Sequence, residues 1–224
     1  AQQAQVVNIG GAGGMGKTAL AASFAERFAA YWRDGVFAIS FANDANPDDG
    51  WVRQRLAQAH PTTINPQDFA RETAEQQVTR LLAAFAAWDG VLLVDNYETV
   101  QYALAENRAA AQAIHALFWQ LATQGCRLLL TTRERPAELP HETNLHGQAA
   151  LAGLTERDGA TLFLRYAERA KDEGKTGQQL AHQLATSTAG HPLALQLLAA
   201  DYNKSHQSAA DFYRDWENRL NAAQ

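Results

Sequence analysis

The sequence predicts an α/β protein, with a parallel sheet covered by helices over residues 1–152 and a small all-helical domain over residues 153–224. Three observations carry that prediction. Short apolar runs alternate with helix-length segments through the first part, as in successive strand–helix–strand units with right-handed crossovers. The run Val91-Leu92-Leu93-Val94 is apolar at every position, which implies a strand buried on both faces, as parallel strands are. From Gly153 onward, three S/T-x-x-[D/E/Q] capping boxes appear, at Thr155…Asp158, Thr176…Gln179 and Ser208…Asp211, each read as opening a helix.

Taken in order, Val6-Val7-Asn8-Ile9 is a short β-branched run and reads as the first strand. Next comes Gly11-Ala12-Gly13-Gly14-Met15-Gly16-Lys17-Thr18, which matches G-x-x-x-x-G-K-[ST] between a strand and a helix. The first helix is expected over 17–32, capped at Asp34-Gly35, and a second strand over 36–41. A polar, turn-rich stretch over 43–50 precedes helical segments over 51–60 and 66–88, the latter opened by Asn65-Pro66. The third strand, 91–95, ends in Asp95. An alanine-rich helix over 106–123 carries Ile114, Leu117, Phe118 and Leu121 on one face. The fourth strand, 127–132, leads into Arg133. A loop with Pro136 and Pro140 reaches a short fifth strand around 149–152. A further helix starts at Pro192.

Composition narrows the function classes. A net charge of −5 argues against a dedicated nucleic-acid surface. One cysteine, Cys126, permits no internal disulfide and suits a reducing cytoplasm, where it reads as a small apolar strand residue. No apolar run is long enough to span a bilayer, so no membrane partner is expected. The chain opens without methionine almost directly on a strand, and it reads as a segment of a longer protein.

The glycine-rich loop is the strongest chemical signal. Backbone amides at a helix N-terminus make an anion site, and glycines allow backbone angles and close approach that a Cβ would block. Gly11, Gly13, Gly14, Met15, Gly16, Lys17, Thr18 and Ala19 are the candidate phosphate-binding residues. Lys17 is placed to reach β- and γ-phosphates and Thr18 to ligate Mg²⁺. Ligands of parallel sheets bind at the carboxyl ends of strands, where Gly11, Asp95 and Thr132 all fall. Asp95 is the expected Mg²⁺ partner of Thr18, its alternative being a strand-end turn residue. Glu98 is a candidate base for an attacking water, or a surface carboxylate on the next turn. Arg133 is placed to contact the γ-phosphate and Thr131 and Thr132 to hold water or the metal shell, whereas Arg135 reads as a solvated loop residue. Asn203-Lys204-Ser205-His206 does not complete N-K-x-D, so ATP/ADP is expected rather than a guanine nucleotide.

Together these motifs resemble the STAND class of P-loop ATPases, and within it the NB-ARC branch. Gly11 to Thr18 resembles the phosphate loop, Val91 to Glu98 the hhhhD[DN]hE element, Leu128 to Arg133 the T-[TS]-R sensor strand, and Gly190-His191-Pro192-Leu193-Ala194-Leu195 the G-x-P-L-A-L element. The resemblance implies a three-layer α/β/α P-loop NTPase fold with a five-stranded parallel sheet ordered 5-1-4-3-2 and an attached helical domain. It also implies that Pro192 packs near the adenine. Read from the residues alone, Gly190-His191-Pro192 is a helix stop and restart with His191 as a cap or a surface residue.

The expected function is an ATP-binding and hydrolysing signal-transduction switch with Mg²⁺. Its expected partners are other domains of a parent protein and a second copy on ATP binding. Asn96 stands where many such ATPases carry a catalytic glutamate, which favours slow turnover or an interaction module with little hydrolysis. A small-molecule kinase is the third reading, disfavoured by the lack of an arginine-rich lid.

Overall fold

A computed structural model describes residues 6–42, 47–60, 62–136, 145–146 and 150–222. These fall into two compact units, Ala1–Ala12 with Lys17–Ala150, and Gly13–Gly16 with Leu151–Gln224.

The first unit is built on strands β1 (Val6–Gly10), β2 (Val36–Ser40), β3 (Val91–Asp95), β4 (Arg127–Thr132) and β5 (Leu145–His146). They form one sheet in the order β2-β3-β4-β1-β5 with every described pairing parallel. This is the 5-1-4-3-2 order read from the other edge. All five residues of β3 are buried, as its unbroken apolarity requires. The fifth strand lies at Leu145–His146 and not around 149–152. Residues 150–152 are irregular, in keeping with the poor strand preference of alanine, while residue 149, Pro140 and the 43–46 part of the polar stretch lie outside the described residues.

Helices lie on both faces of the sheet. Helix α1 (Lys17–Phe28), followed by a 3₁₀ turn at Ala29–Tyr31, packs on one face, where Ala21 meets Val91, Leu93 and Leu129. The other face carries α2 (Asp49–Ala57), α3 (Pro66–Arg71), α4 (Ala74–Ala86), α5 (Glu98–Ala105) and α6 (Ala109–Thr123). Their apolar sides enclose the main core, with Leu56, Phe69, Leu81, Phe85, Val100, Ile114 and Phe118 against Leu92, Val94, Leu128 and Leu130. Cys126 sits in this core, and burial pushes its thiol up to about 12.

One expected helix is divided and another is shortened. The segment over 66–88 breaks at Thr73, whose hydroxyl accepts from Gln76 N–H while the Gln76 side chain accepts from Thr73 N–H, a capping box that opens α4. The helix over 106–123 begins at Ala109, and α5 at Glu98–Ala105 is a further helix that precedes it.

The second unit contains α7 (Glu156–Tyr166), α8 (Glu168–Asp172), α9 (Lys175–Ser187), α10 (Pro192–Lys204) and α11 (Ala209–Ala222) around Phe163, Leu184, Leu195, Tyr202 and Phe212. Thr155 and Ser208 cap α7 and α11 through the amides of Asp158 and Asp211. Thr176, in contrast, lies inside α9, which is preceded by Gly174 at a φ of 59°. Glycine fits that left-handed position better than threonine and displaces the cap.

At Gly190 the chain ends α9 with a φ of 68°, its N–H bonded to Ala185 O. A Cβ there would stand 2.0 Å from Leu154 O, so the stop admits only glycine. His191 then caps α10, its Nδ1 accepting from Ala194 N–H at 3.3 Å, and Pro192 occupies the first turn.

Candidate functional site

The carboxyl edge of the sheet is held by hydrogen bonds that continue past the strand ends. Gly11 N–H donates to Thr132 O at 3.2 Å, Phe41 N–H to Asp95 O at 3.0 Å and Tyr97 N–H to Thr131 O at 2.9 Å. Register decides which side chains meet there. Ser40 pairs with Asp95 and Val94 with Leu130, so Ser40, Asp95 and Thr131 stand side by side on the α1 face.

Asp95 is 5% exposed and fully engaged. Its Oδ1 accepts from Thr18 Oγ1 and from Thr131 Oγ1, both at 2.7 Å, and its Oδ2 accepts from Ser40 Oγ at 2.9 Å. A buried carboxylate needs such partners, because each unpaired lone pair carries a desolvation cost. Ser40 is the residue that motif reading does not find. Its place depends on the pairing of β2 with β3, and no local pattern announces that register.

Thr131 has a second duty. Its Oγ1 also accepts from Asn96 N–H at 2.9 Å, and Asn96 sits at a φ of 56°, a left-handed position that asparagine tolerates. This turn starts α5 and places Glu98 in its first turn. Glu98 is buried, and its Oε1 lies 3.3 Å from Arg133 Nε, while its Oε2 has no partner among the described residues. It is therefore not the surface carboxylate of the alternative reading. Thr132 faces the opposite side of the sheet and spends its hydroxyl on Asn8 Oδ1 at 2.9 Å, away from Asp95. Arg135 is exposed.

Within the loop, Gly14 and Gly16 adopt φ of 76° and 89°, where a side chain would strain the backbone. Gly11 is buried, Gly14, Met15 and Gly16 are half-buried, and Gly13 and Ala19 are exposed. Lys17, the first residue of α1 and 7% exposed, donates from Nζ to Gly11 O at 2.8 Å and Ala12 O at 3.0 Å. An ammonium offers three donors, so this lysine keeps one beyond its two loop carbonyls. Pro192 is described with the helical unit and is half-buried. An open cleft of about 560 Å³ adjoins the Thr18–Asp95 corner, lined by Ala22, Ala25, Ala38, Leu93, Trp51 and Arg55.

These residues fit a Mg²⁺–nucleotide. Thr18 and Asp95 put a hydroxyl and a carboxylate together, both hard oxygen donors. Lys17 supplies a nearly buried cation at the helix N-terminus. No group of three or more His, Cys, Asp or Glu that could hold a metal occurs among the described residues.

The inserted position of β4 between β1 and β3, the glycine loop ahead of α1 and the Thr18–Asp95 pair together define a P-loop NTPase. The chain belongs to the NACHT domain family, which matches residues 5–170. NACHT domains are P-loop NTPases of the STAND class, a close variant of the NB-ARC type that the motifs resemble, and the family generally binds nucleotide with Mg²⁺.

Solved structures with the same fold include a STAND protein with a tetratricopeptide repeat sensor from Pyrococcus horikoshii. It is 17% identical, with a TM-score of 0.51, over 97% of this chain and 30% of that one. Drosophila ORC bound to DNA is similar at 14% identity and a TM-score of 0.55, over 99% and 63%. C. elegans PCH-2 is similar at 12% identity and a TM-score of 0.56, over 97% and 62%. The chain thus spans less than two thirds of each of these proteins. A search of curated protein sequences gave no match. No helix among the described residues is long and apolar enough to cross a membrane.

Proposed function

We propose that this chain is an ATP-dependent switch domain that binds ATP and ADP with Mg²⁺, hydrolyses ATP slowly to ADP and phosphate, and works within a larger cytoplasmic signal-transduction protein. The observation that carries the reading is the hydrogen bond of Thr18 to Asp95 beside a nearly buried Lys17, all at one strand edge. In this reading the amides of Gly11, Gly13, Gly14, Met15, Gly16 and Ala19 hold the phosphates, with Lys17 on the β- and γ-phosphates. Thr18 and Asp95 hold Mg²⁺, which when bound neutralises phosphate charge. Glu98 orients the attacking water, Arg133 contacts the γ-phosphate, and Pro192 lies near the adenine. ATP and ADP switch the protein only to the extent that they bind its two conformations unequally. Partners in this reading are other domains of the parent protein and a second copy of the chain in the ATP state.

Asn96 favours a second reading, a nucleotide-dependent interaction module that barely hydrolyses. Its amide is committed to Thr131, and its side chain is not a carboxylate. Single-turnover hydrolysis separates the two. The switch reading expects wild type to convert bound ATP within minutes and Asp95→Ala to lose both Mg²⁺-dependent binding and turnover. Bound ATP that survives for hours in the wild type supports the module, and Mg²⁺-dependent ATP binding that is unchanged in Asp95→Ala refutes the site assignment.

A further inference from the structure

The Glu98–Arg133 pair joins two residues of opposite exposure. The Glu98 side chain is 10% exposed and the Arg133 side chain 57%. One guanidinium nitrogen, Nε, faces Oε1 at 3.3 Å, and a planar guanidinium carries further donors on its two terminal nitrogens. On the acid side, Oε2 has no partner among the described residues. Among the described residues Arg133 is the cation paired with a carboxylate that is otherwise short of partners, and at 3.3 Å the contact is long. A guanidinium binds a phosphoryl group better, through two parallel N–H···O bonds.

We propose that Glu98 is a specificity-determining residue: it retains Arg133 until a third phosphate competes for the guanidinium, so the strength of the pair sets the preference for nucleoside triphosphate over diphosphate. The proposal rests on the nucleotide-binding reading above and deepens it. Removing Arg133 from Glu98 leaves a desolvated carboxylate without its cation, which is costly. A triphosphate offsets that cost with new contacts to the guanidinium. A diphosphate offers no third phosphate and leaves the pair intact. The same exchange frees Oε1 of Glu98, which adds a second unpaired oxygen to the group placed to orient water.

The test is equilibrium binding, by calorimetry, of Mg²⁺–ADP and of the non-hydrolysable imido analogue of ATP. The proteins are wild type, Glu98→Gln, Arg133→Ala and the double variant, each first melted without nucleotide to establish folding. Glu98→Gln is expected to tighten the analogue roughly two- to fivefold, the range of a partly exposed ion pair, and to leave ADP unchanged. Arg133→Ala weakens the analogue and not ADP, and in its background Glu98→Gln changes nothing. An analogue-to-ADP ratio that is unmoved by Glu98→Gln, or an equal shift of both nucleotides, overturns the proposal. If Glu98→Gln fails to fold, Glu98→Asp takes its place: it keeps the charge but draws it back from Arg133, so the same rise in the analogue-to-ADP ratio is expected, and an unmoved ratio overturns the proposal. If wild type binds neither nucleotide, the nucleotide-binding reading itself is what fails.

Discussion

Replacing Thr131 with valine keeps side-chain volume and strand preference and removes one hydroxyl. That hydroxyl donates to Asp95 Oδ1 at 2.7 Å and accepts from Asn96 N–H at 2.9 Å, in a residue with no exposed surface. A hydrogen bond to a charged group contributes about 1.5–3 kcal/mol, and a buried amide left without an acceptor costs about 1–3 kcal/mol. The two losses overlap, because a released turn can seek other partners, so Thr131→Val is expected to cost about 2–4 kcal/mol. Thr131→Ser keeps the hydroxyl and is expected to cost about 1 kcal/mol through the lost methyl. Urea unfolding of the nucleotide-free protein, followed by tryptophan fluorescence, reads the difference. Four of the five tryptophans (Trp32, Trp51, Trp88 and Trp119) lie in the sheet unit, so the signal reports mainly on it. A loss under about 0.5 kcal/mol for Thr131→Val, or equal losses for the two variants, would refute the role given to this hydroxyl.

Gly190→Ala forces a side chain into a φ of 68° and against Leu154 O, and is expected to destabilise the helical unit by about 2 kcal/mol or more. The check is limited proteolysis of the helical unit at rising temperature, and an unchanged cleavage profile contradicts it. Burial holds His60 below its ordinary value, partly offset by the Asp34 carboxylate, so the imidazole stays neutral in the folded protein. The unfolded chain takes up that proton as pH falls through about 6.5, so stability falls below that pH until the folded imidazole also titrates, by at most about 1.4 kcal/mol per pH unit. Urea midpoints at pH 7.5, 6.5 and 5.5 should therefore fall more steeply in wild type than in His60→Phe.

Legibility in the sequence followed the range of the interactions involved. The run Val91-Leu92-Leu93-Val94-Asp95 announced β3 because burial on both faces leaves no room for polar residues. The Thr155 and Ser208 caps were visible because a cap depends on a local side-chain-to-amide bond. The same local logic opens α4 at Thr73-x-x-Gln76, yet no glycine or proline stands at the break, so the two helices read as one. At Thr176 the competing local signal, Gly174 in a left-handed conformation, prevailed.

Tertiary facts were out of reach. Ser40 reaches Asp95 only through strand register, and Thr132 turns toward Asn8 because strand side chains alternate between faces. The Glu98–Arg133 pair joins the turn after β3 to the residue after β4, and no periodicity encodes it. Among the described residues β5 pairs two positions, with Val6 and Val7, too short a contact to impose a pattern.

The most direct test of the central claim is the affinity of Mg²⁺–ATP for wild type and for Lys17→Ala. Among the described residues Lys17 bonds to the Gly11 and Ala12 carbonyls of its own loop, so its removal should leave the nucleotide-free melting temperature within a few degrees of wild type. The loss of one charge-assisted phosphate contact, about 2 kcal/mol or more, should weaken Mg²⁺–ATP by about thirtyfold or more. If Lys17→Ala binds Mg²⁺–ATP as tightly as wild type, the loop from Gly11 to Thr18 is not the phosphate site and the account is wrong.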